Sequence, residues 1–503
     1  MVTLDPQVSY RALRTRDARF DGRLFVGVTS TGIYCRPVCP ATTAKFENCR
    51  FFPTAASAHD AGFRPCLRCR PETAPDVGSW RGSSNTVSRG LAFIADGELD
   101  QSGASVDSLA ERLGIGGRQL RRLFKQHLGA SPIVVAQTRR VLFAKQLVHD
   151  TRLPMAEIAL AAGFGSVRRF NETFQSLFGQ PPSGLRRKGT IALPEGTIAA
   201  AGVTVRLRYR PPYDWPSVLS HLRARAVGGI ERVDGDSFCR TVLQDGYPST
   251  VRIVHLPNDD SIAATIRSPS VRALPGIVAR VRRLFDLGAD VAAIGAHLAQ
   301  DPLLAPLVAA RPGLRTPGAW DGFELAVRAV LGQQVSVEAA RRLAERLARL
   351  CGTEISFALS GDPALIRAFP SAAQVARADL DKIGMPAARR RALLAMAQAA
   401  LADPRLFEPL ATIEKTVARL RTIRGVGEWT AHYIALRAAC EPDAFPGNDV
   451  GLLRAAARPD GARPTAAELH ARAERWRPWR GYAAQHLWAT QAATRSPAKR
   501  GES

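Results

Sequence analysis

Four cysteines constrain the N-terminal segment more than any other feature of this chain. Cys35-x3-Cys39 is followed, after 26 residues, by Cys66-x2-Cys69. Two close pairs at that separation suit one tetrahedral Zn2+ site, each pair sitting on its own turn. The chain has eight cysteines. Its N-terminal residues lack the apolar core of a secretory signal. The clustered pairs therefore read as metal ligands in a reducing cytoplasm and not as disulfides. Cys49, between the pairs, reads as a free core cysteine. Spacing alone leaves two roles open: a zinc knuckle that only holds the fold together, or a centre whose thiolates react.

Residues 95–185 carry an internal repeat. Leu109-Ala110, Gly114, Phe124, Gly129 and Pro132 recur about 50 residues later as Ile158-Ala159, Gly163, Phe174, Gly179 and Pro182. Each copy reads helix, glycine turn, helix. Val106, Leu109, Ala110 and Leu113 fall at i, i+3, i+4 and i+7, with Ser105 placed to cap. In the next helix Leu120, Leu123, Phe124 and Leu128 turn inward, while Arg118, Gln119, Arg121, Arg122 and Lys125 stand on the opposite face. The second copy offers Arg168 and Arg169. Such donors suit base edges and phosphates. A single hairpin with solvated charges would carry little weight; two copies joined by a helix through Val134–Val148 carry more.

Pro- and Gly-rich breaks at Pro71–Asn85 and Pro181–Gly196 mark linkers. Beyond them, Val203–Tyr209, Ser237–Leu243, Thr250–Leu256 and Ile262–Arg267 alternate as strands, and Leu219–Ala226 and Val271–Leu287 read as helices. After about residue 290 the periodic pattern is helical throughout. There, Gly425-Val426-Gly427 separates two apolar helical stretches and can turn backbone N–H groups toward a phosphate. Asp449 opens a further helix and reads, from position alone, as its N-cap.

The residues around these features resemble three known families. Phe20-Asp21-Gly22, Thr31 to Cys39 and Ala61 to Cys69 resemble the Ada N-terminal domain. That resemblance implies that Cys35 accepts a methyl group from a DNA phosphotriester. Gly163-Phe164 and Phe178-Gly179-Gln180-Pro181-Pro182 resemble the AraC-type DNA-binding domain. Pro211 to Trp215, Ala329 to Gln333, Ile423 to Ala431, Tyr433 to Arg437, Phe445 to Leu452 and Glu474 to Arg480 resemble the AlkA-type 3-methyladenine DNA glycosylase II, a helix-hairpin-helix enzyme. This resemblance implies that Asp449 is catalytic and that Trp429, Tyr433 and Trp488 line a pocket for a flipped base. It also implies that Gly425, Gly427 and Gln334 contact DNA. The family has an intercalating Leu where Gln334 stands, aromatic residues where His221 and Val450 stand, and a Pro where Arg424 stands. Trp429 occupies the position of the Schiff-base Lys of bifunctional relatives, which implies a monofunctional enzyme.

Charge agrees with this reading. Lys plus Arg is 69 against 45 for Asp plus Glu, a net +24, and a protein this basic usually meets a polyanion. No uncharged apolar run of about 18 residues is present, so no membrane span is expected. The expectation is a multidomain, mainly α protein: a small α/β domain with a four-cysteine zinc site at 1–78, an all-α double helix-turn-helix at 85–188, a small α+β sheet domain at 195–288, and an all-α helix-hairpin-helix domain at 289–495. One Zn2+ is expected on Cys35, Cys39, Cys66 and Cys69. The expected partners are alkylated and promoter double-stranded DNA and RNA polymerase, met by a monomer in the cytoplasm. Two other readings are a transcription regulator whose C-terminal half binds DNA without catalysis, and an enzyme whose zinc is only structural.

Overall fold

The computed structural model describes residues 4–75, 85–100, 103–186, 202–458 and 461–494. Most of the two expected linkers, at 76–84 and 187–196, lies outside the described residues. The chain divides into two compact units, Met1–Tyr209 with Gln244–Ala279, and Arg210–Leu243 with Arg280–Ser503. The architecture is multidomain and mainly helical.

The first unit begins with a four-stranded sheet in the order Cys49–Phe52, Phe25–Val28, Ile33–Cys35, Arg64–Pro65. The first two pairings are antiparallel and the last is parallel. Two small apolar clusters flank it, one around Phe25, Tyr34, Phe52 and Phe63, the other around Leu13, Leu24 and Val26. Cys49 is only half-buried, its thiol facing the Lys45 carbonyl at 3.3 Å. It is free and packs with Phe51 against the Leu13, Leu24 and Val26 cluster, only partly covered because its strand lies at the sheet edge, while alternation turns Arg50 outward.

The repeat folds as two helix-turn-helix units. Helix Val106–Leu113 is capped by Ser105 in a reciprocal box with Ser108 and stops at Gly114, whose φ is +74°. Helix Gly117–Leu128 buries Leu120, Phe124 and Leu128; Leu123 is only partly covered. Burying each such side chain stabilises the unit by roughly 1.5–3 kcal/mol. The second unit pairs Met155–Ala161 with Val167–Phe178, and the rings of Phe170, Phe174 and Phe178 pack against one another, tilted, along its buried face. The 19-residue helix Pro132–Asp150 joins the two. Strands Val203–Arg208, Ser261–Arg267 and Tyr247–Leu256 form antiparallel pairs in that order.

The second unit holds the antiparallel pair Glu231–Asp234 and Ser237–Gln244 up to Leu243. The first of these strands is too short and too charged to read in the sequence. The expected helix at Val271–Leu287 is shorter: a 3-10 turn at Val271–Ala273, then a helix at Leu274–Leu284. Among the described residues beyond 290 the regular elements are helices, apart from a two-stranded pair, Thr353–Glu354 with Arg367–Ala368, that the periodicity does not show. The helical core gathers Ala326, Val327, Val330, Leu331, Leu393, Met396, Ile434 and Ala435, all fully enclosed. No helix among the described residues is long and apolar enough to cross a membrane.

Candidate functional site

Each unit carries one chemical constellation. In the first, the four expected sulfurs meet, with Cys35, Cys39, Cys66 and Cys69 Sγ all within 4.8 Å of one another. A tetrahedron of Zn–S bonds of about 2.3 Å puts its sulfurs roughly 3.8 Å apart, so the donor set fits one Zn2+. Crowding splits the titration of the bare thiols: contact with Cys39 pushes Cys35 up, and contact with Cys35 pulls Cys66 down. A dication among them removes that conflict by favouring the thiolate at every position. The fold also supplies donors to sulfur. The Arg36 backbone N–H points at Cys69 Sγ at 3.3 Å, and the Arg68 N–H at Cys66 Sγ at 3.3 Å. The four ligands are not equivalent, for Cys39, Cys66 and Cys69 are buried and Cys35 is partly open.

On the helix-turn-helix units, Arg118, Gln119, Arg121 and Arg122 stand exposed on the second helix of the first copy, and Arg168 and Arg169 on that of the second. Arg121 reaches Asp107 at 3.4 Å and Arg168 pairs with Glu172 at 2.7 Å. These exposed pairs contribute little to stability and leave both surfaces strongly basic.

In the second unit, helix Ile413–Arg421 turns through Gly425-Val426-Gly427 into helix Glu428–Arg437. Gly425 has φ +86°, and an added Cβ would lie 2.4 Å from Ala392 Cβ; the turn closes only with glycine there. Gly427 is exposed, with open space where a side chain would be. The second helix places Trp429, Tyr433 and Arg437 four residues apart on one face. Trp429 and Tyr433 stack with centroids 5.2 Å apart at 7°, and Tyr433 meets Trp488 edge-on at 6.4 Å.

Asp449 joins this group. Its Oδ2 accepts the Trp429 indole N–H at 2.7 Å, and its Oδ1 accepts the Trp488 indole N–H at 2.9 Å. Oδ1 also accepts the Leu452 backbone N–H at 2.9 Å, so Asp449 is the N-cap of helix Val450–Ala455 as well. The two roles do not compete: capping fixes the carboxylate where both indoles can hold it. Asp449, Trp429, Tyr433 and Trp488 are all only partly buried, and the group is open to a ligand.

Sequence reasoning missed the arginines around the pocket. Arg437 is buried and its guanidinium lies 5.4 Å from the Tyr433 centroid and 5.6 Å from that of Trp488. The Gln485 side chain and the Pro317 carbonyl hold it. Arg225 donates to the His221 carbonyl at 3.4 Å. Burial alone would push the Tyr433 hydroxyl up, but Arg437, Arg225 and Arg328 outweigh it and bring it below its ordinary value. Burial, reinforced by the same three cations, pushes the His221 imidazole well below its usual range and keeps it neutral. The i, i+4 spacing of Tyr433 and Arg437 was the one sequence signal available. Val450 is 55% exposed, so it adds no wall where an aromatic residue was expected from resemblance.

Gln334 sits exposed at φ +55° in the turn between helices Gly322–Leu331 and Val337–Cys351. Its neighbour Gln333 donates to the Gly425 carbonyl at 2.9 Å and to Thr430 Oγ1 at 3.2 Å, and Arg389 donates to the Gln333 carbonyl at 2.6 Å. The Gln334 turn and the glycine hairpin are therefore tied together, and Val335, 38% exposed, stands beside Gln334.

Family models match four consecutive stretches of the chain. They are the metal binding domain of Ada at 8–72, a helix-turn-helix domain at 109–188, the AlkA N-terminal domain at 204–321, and the HhH-GPD superfamily base excision DNA repair protein at 327–481. A probable bifunctional transcriptional activator/DNA repair enzyme AlkA of Mycobacterium tuberculosis is 40% identical over 482 residues, covering 96% of this chain and 95% of that protein. DNA-3-methyladenine glycosylase 2 of Escherichia coli is 35% identical over 288 residues, 57% of this chain and 96% of its own. The 3-methyladenine DNA-glycosylase from Archaeoglobus fulgidus shares the fold, with a TM-score of 0.50 at 19% identity over 57% of this chain and 98% of that one. The chain belongs to the family of bifunctional transcriptional activators and DNA-repair enzymes in which an Ada-type zinc domain and a helix-turn-helix domain precede an AlkA-type base-excision half.

Proposed function

We propose that this chain detects alkylated DNA through its zinc-bound cysteines, activates transcription in response, and excises alkylated bases such as 3-methyladenine as a monofunctional glycosylase. The observation that carries the excision reading is the Asp449 carboxylate held between the indole N–H groups of Trp429 and Trp488 beside Tyr433. The base must leave the stack to reach such a group. N-alkylation makes a purine cationic; aromatic faces attract it, and its charge makes it a good leaving group without a general acid. Asp449 stabilises the oxocarbenium-like sugar as positive charge develops there and orients the incoming water. Trp429 at the head of its helix leaves no lysine for Schiff-base chemistry. Gly425 and Gly427 grip a phosphate, and Gln334 with Val335 fills the gap that the base leaves. The alternative, a C-terminal half that only binds DNA, gives no reason for two indoles converging on one carboxylate. Incubating the purified full-length chain with methylated duplex DNA is expected to release free 3-methyladenine and leave abasic sites without strand cleavage; intact DNA would refute the reading.

In the N-terminal half, Zn2+ on the four cysteines would keep their sulfurs ionised at neutral pH. Cys35, the most open of them, attacks the methyl carbon of a neutral phosphotriester: the S–C bond forms, the C–O bond breaks, and the electron pair leaves on the phosphate oxygen as a diester. One negative charge is lost from the cluster, which eases its approach to phosphates. The organisation supporting this is an acceptor domain at 1–78, a DNA-binding domain at 85–188, a sheet domain at 195–288 and a glycosylase domain at 289–495, acting as a monomer in the cytoplasm. Arg118, Gln119, Arg121 and Arg122 read one major groove and Arg168 and Arg169 the next, with RNA polymerase recruited alongside. Treatment with methylphosphotriester DNA is expected to raise promoter affinity at fixed salt and to steepen the log–log salt dependence by about one. Equal affinity before and after would refute the switch.

A further inference from the structure

The Cys66–Cys69 turn carries two of the four ligands, and each end of it is held by a buried cation. At the Cys69 end, Arg36 Nη1 donates to the Cys69 carbonyl at 3.0 Å and to Thr73 Oγ1 at 2.7 Å. Asp21 neutralises Arg36, accepting its Nε at 2.8 Å and its Nη2. At the Cys66 end, Lys145 Nζ donates to the Cys66 carbonyl at 3.0 Å and to Glu72 Oε2 at 2.6 Å. Glu72 also accepts Arg70 Nε at 2.9 Å, and Arg70 Nη2 reaches Asp150 at 2.8 Å. The two ends are built alike, a cation on the carbonyl of a ligand residue with a carboxylate behind it. They differ in origin. Arg36 belongs to the thiolate domain, whereas Lys145 comes from Pro132–Asp150, the helix that joins the two helix-turn-helix units.

Lys145 has no exposed surface, and Glu72 almost none. Removing two charges from water is costly unless geometry and further hydrogen bonds compensate. Here they do, because the ammonium spans a carboxylate and a carbonyl at once. The surrounding contact is continuous. Helix Ala55–Asp60 and the turn Pro71–Thr73 pack against the same long helix. Thr54 Oγ1 donates to the Leu128 carbonyl at 2.7 Å.

We propose that Lys145 is a positioning residue of the methyl-acceptor centre: it fixes the Cys66 carbonyl, and with it the Cys66–Cys69 turn, so that the centre is shared between the thiolate domain and the DNA-binding domain. The ligand turn then cannot shift without moving the helix that sets the spacing of the two recognition helices. Outer partners of metal ligands typically change affinity or activity by about 10–100-fold when removed. The proposal rests on the methyl-acceptor reading for its biological meaning but not for its test.

The test uses the full-length zinc-loaded chain carrying both Lys145→Met and Glu72→Gln, which replaces a buried ion pair by neutral groups of similar size and leaves Arg70 paired with Asp150. Base excision, read from the other half, serves as the folding control. Expected are zinc transfer to a chromophoric chelator about 10–100-fold faster than in the parent, shifted visible bands in the Co2+-substituted protein, and slower methyl uptake from methylphosphotriester duplex. Chelator rates and Co2+ spectra equal to the parent's would overturn the positioning role. If the parent itself takes up no methyl group, the acceptor reading fails, while the chelator and Co2+ measurements still decide on Lys145. Should the double variant misfold, the single Lys145→Arg variant, which keeps a donor for the Cys66 carbonyl, is expected to retain the parent's zinc release; loss of zinc there at the rate of a Lys145→Met chain would likewise overturn it.

Discussion

Asp449→Asn is expected to lower release of 3-methyladenine by about 10²–10³-fold, the cost of removing a preorganised electrostatic stabiliser, while duplex binding changes little. On the proposed mechanism the carboxylate acts on charge that develops only as the glycosidic bond breaks, so its loss would fall on the chemical step. On the same reading, binding rests on the glycine hairpin and the basic surface, which the substitution does not touch. The structure adds a second, smaller consequence. Oδ1 serves both the Leu452 cap and Trp488, and Oδ2 serves Trp429. An asparagine keeps one oxygen, which can still cap the helix and meet Trp488. Its amide then faces the Trp429 N–H, donor against donor, at a cost nearer the low end of about 1–3 kcal/mol for an unsatisfied group, because the pair is only partly buried. Pairing Asp449→Asn with Trp429→Phe removes that clash and separates the effects. Stability should recover in the double variant and excision should not. Single-turnover excision with thermal unfolding of each variant makes the distinction. Substantial excision by a folded Asp449→Asn chain would mean that Asp449 is a cap and the chemistry lies elsewhere.

What the sequence revealed of these sites followed from how local their signals are. The four cysteines sit on two short turns, so spacing alone proposed the metal. The helix-turn-helix copies were legible because Ser105, Gly114 and Gly129 punctuate helices of regular apolar period. Asp449 was legible as a cap from its position; the catalytic role proposed for it came from resemblance alone. Its indole partners lie 20 and 39 residues away, and no periodicity connects them. The same holds for Lys145 and Glu72, 73 residues apart, and for Arg240, whose buried pairs with Glu231 and Glu324 span 9 and 84 residues. A lysine on a helix or an arginine on a strand reads as solvated unless its partner is known, since buried charges are rare. Short strands escaped for a different reason. Glu231–Asp234 and Thr353–Glu354 are held by pairing with neighbours and not by alternation of their own. Gln334, read as a departure from an intercalating Leu, sits at a left-handed turn tied through Gln333 to the hairpin.

Removing the metal is expected to unfold the thiolate domain while leaving excision intact. The apolar clusters at Phe25 and Leu24 are small, and a core of that size leaves a short domain only marginally stable without a staple such as a metal. The binding free energy of a structural zinc, about 10–16 kcal/mol in small zinc peptides, is comparable to the whole stability of an ordinary domain. Without it, the four thiols share a space too tight for four like charges. Asp21, Arg36, Glu72 and Lys145 lose the turn that their buried pairs hold. Hydrogen exchange reads this segment by segment. After chelation, or in a Cys69→Ala chain, amides of Phe25–Val28, Ile33–Cys35 and Cys49–Phe52 should lose protection by orders of magnitude. Amides of Glu428–Arg437 and Arg480–Thr494, whose packing involves no metal, should keep theirs. Release of 3-methyladenine by the metal-free chain should match that of the zinc-loaded one, because Asp449, Trp429 and Trp488 need only one another and the helices that carry them. Unchanged exchange across the N-terminal strands after zinc removal would show that the sheet stands by itself and that the cluster serves chemistry alone.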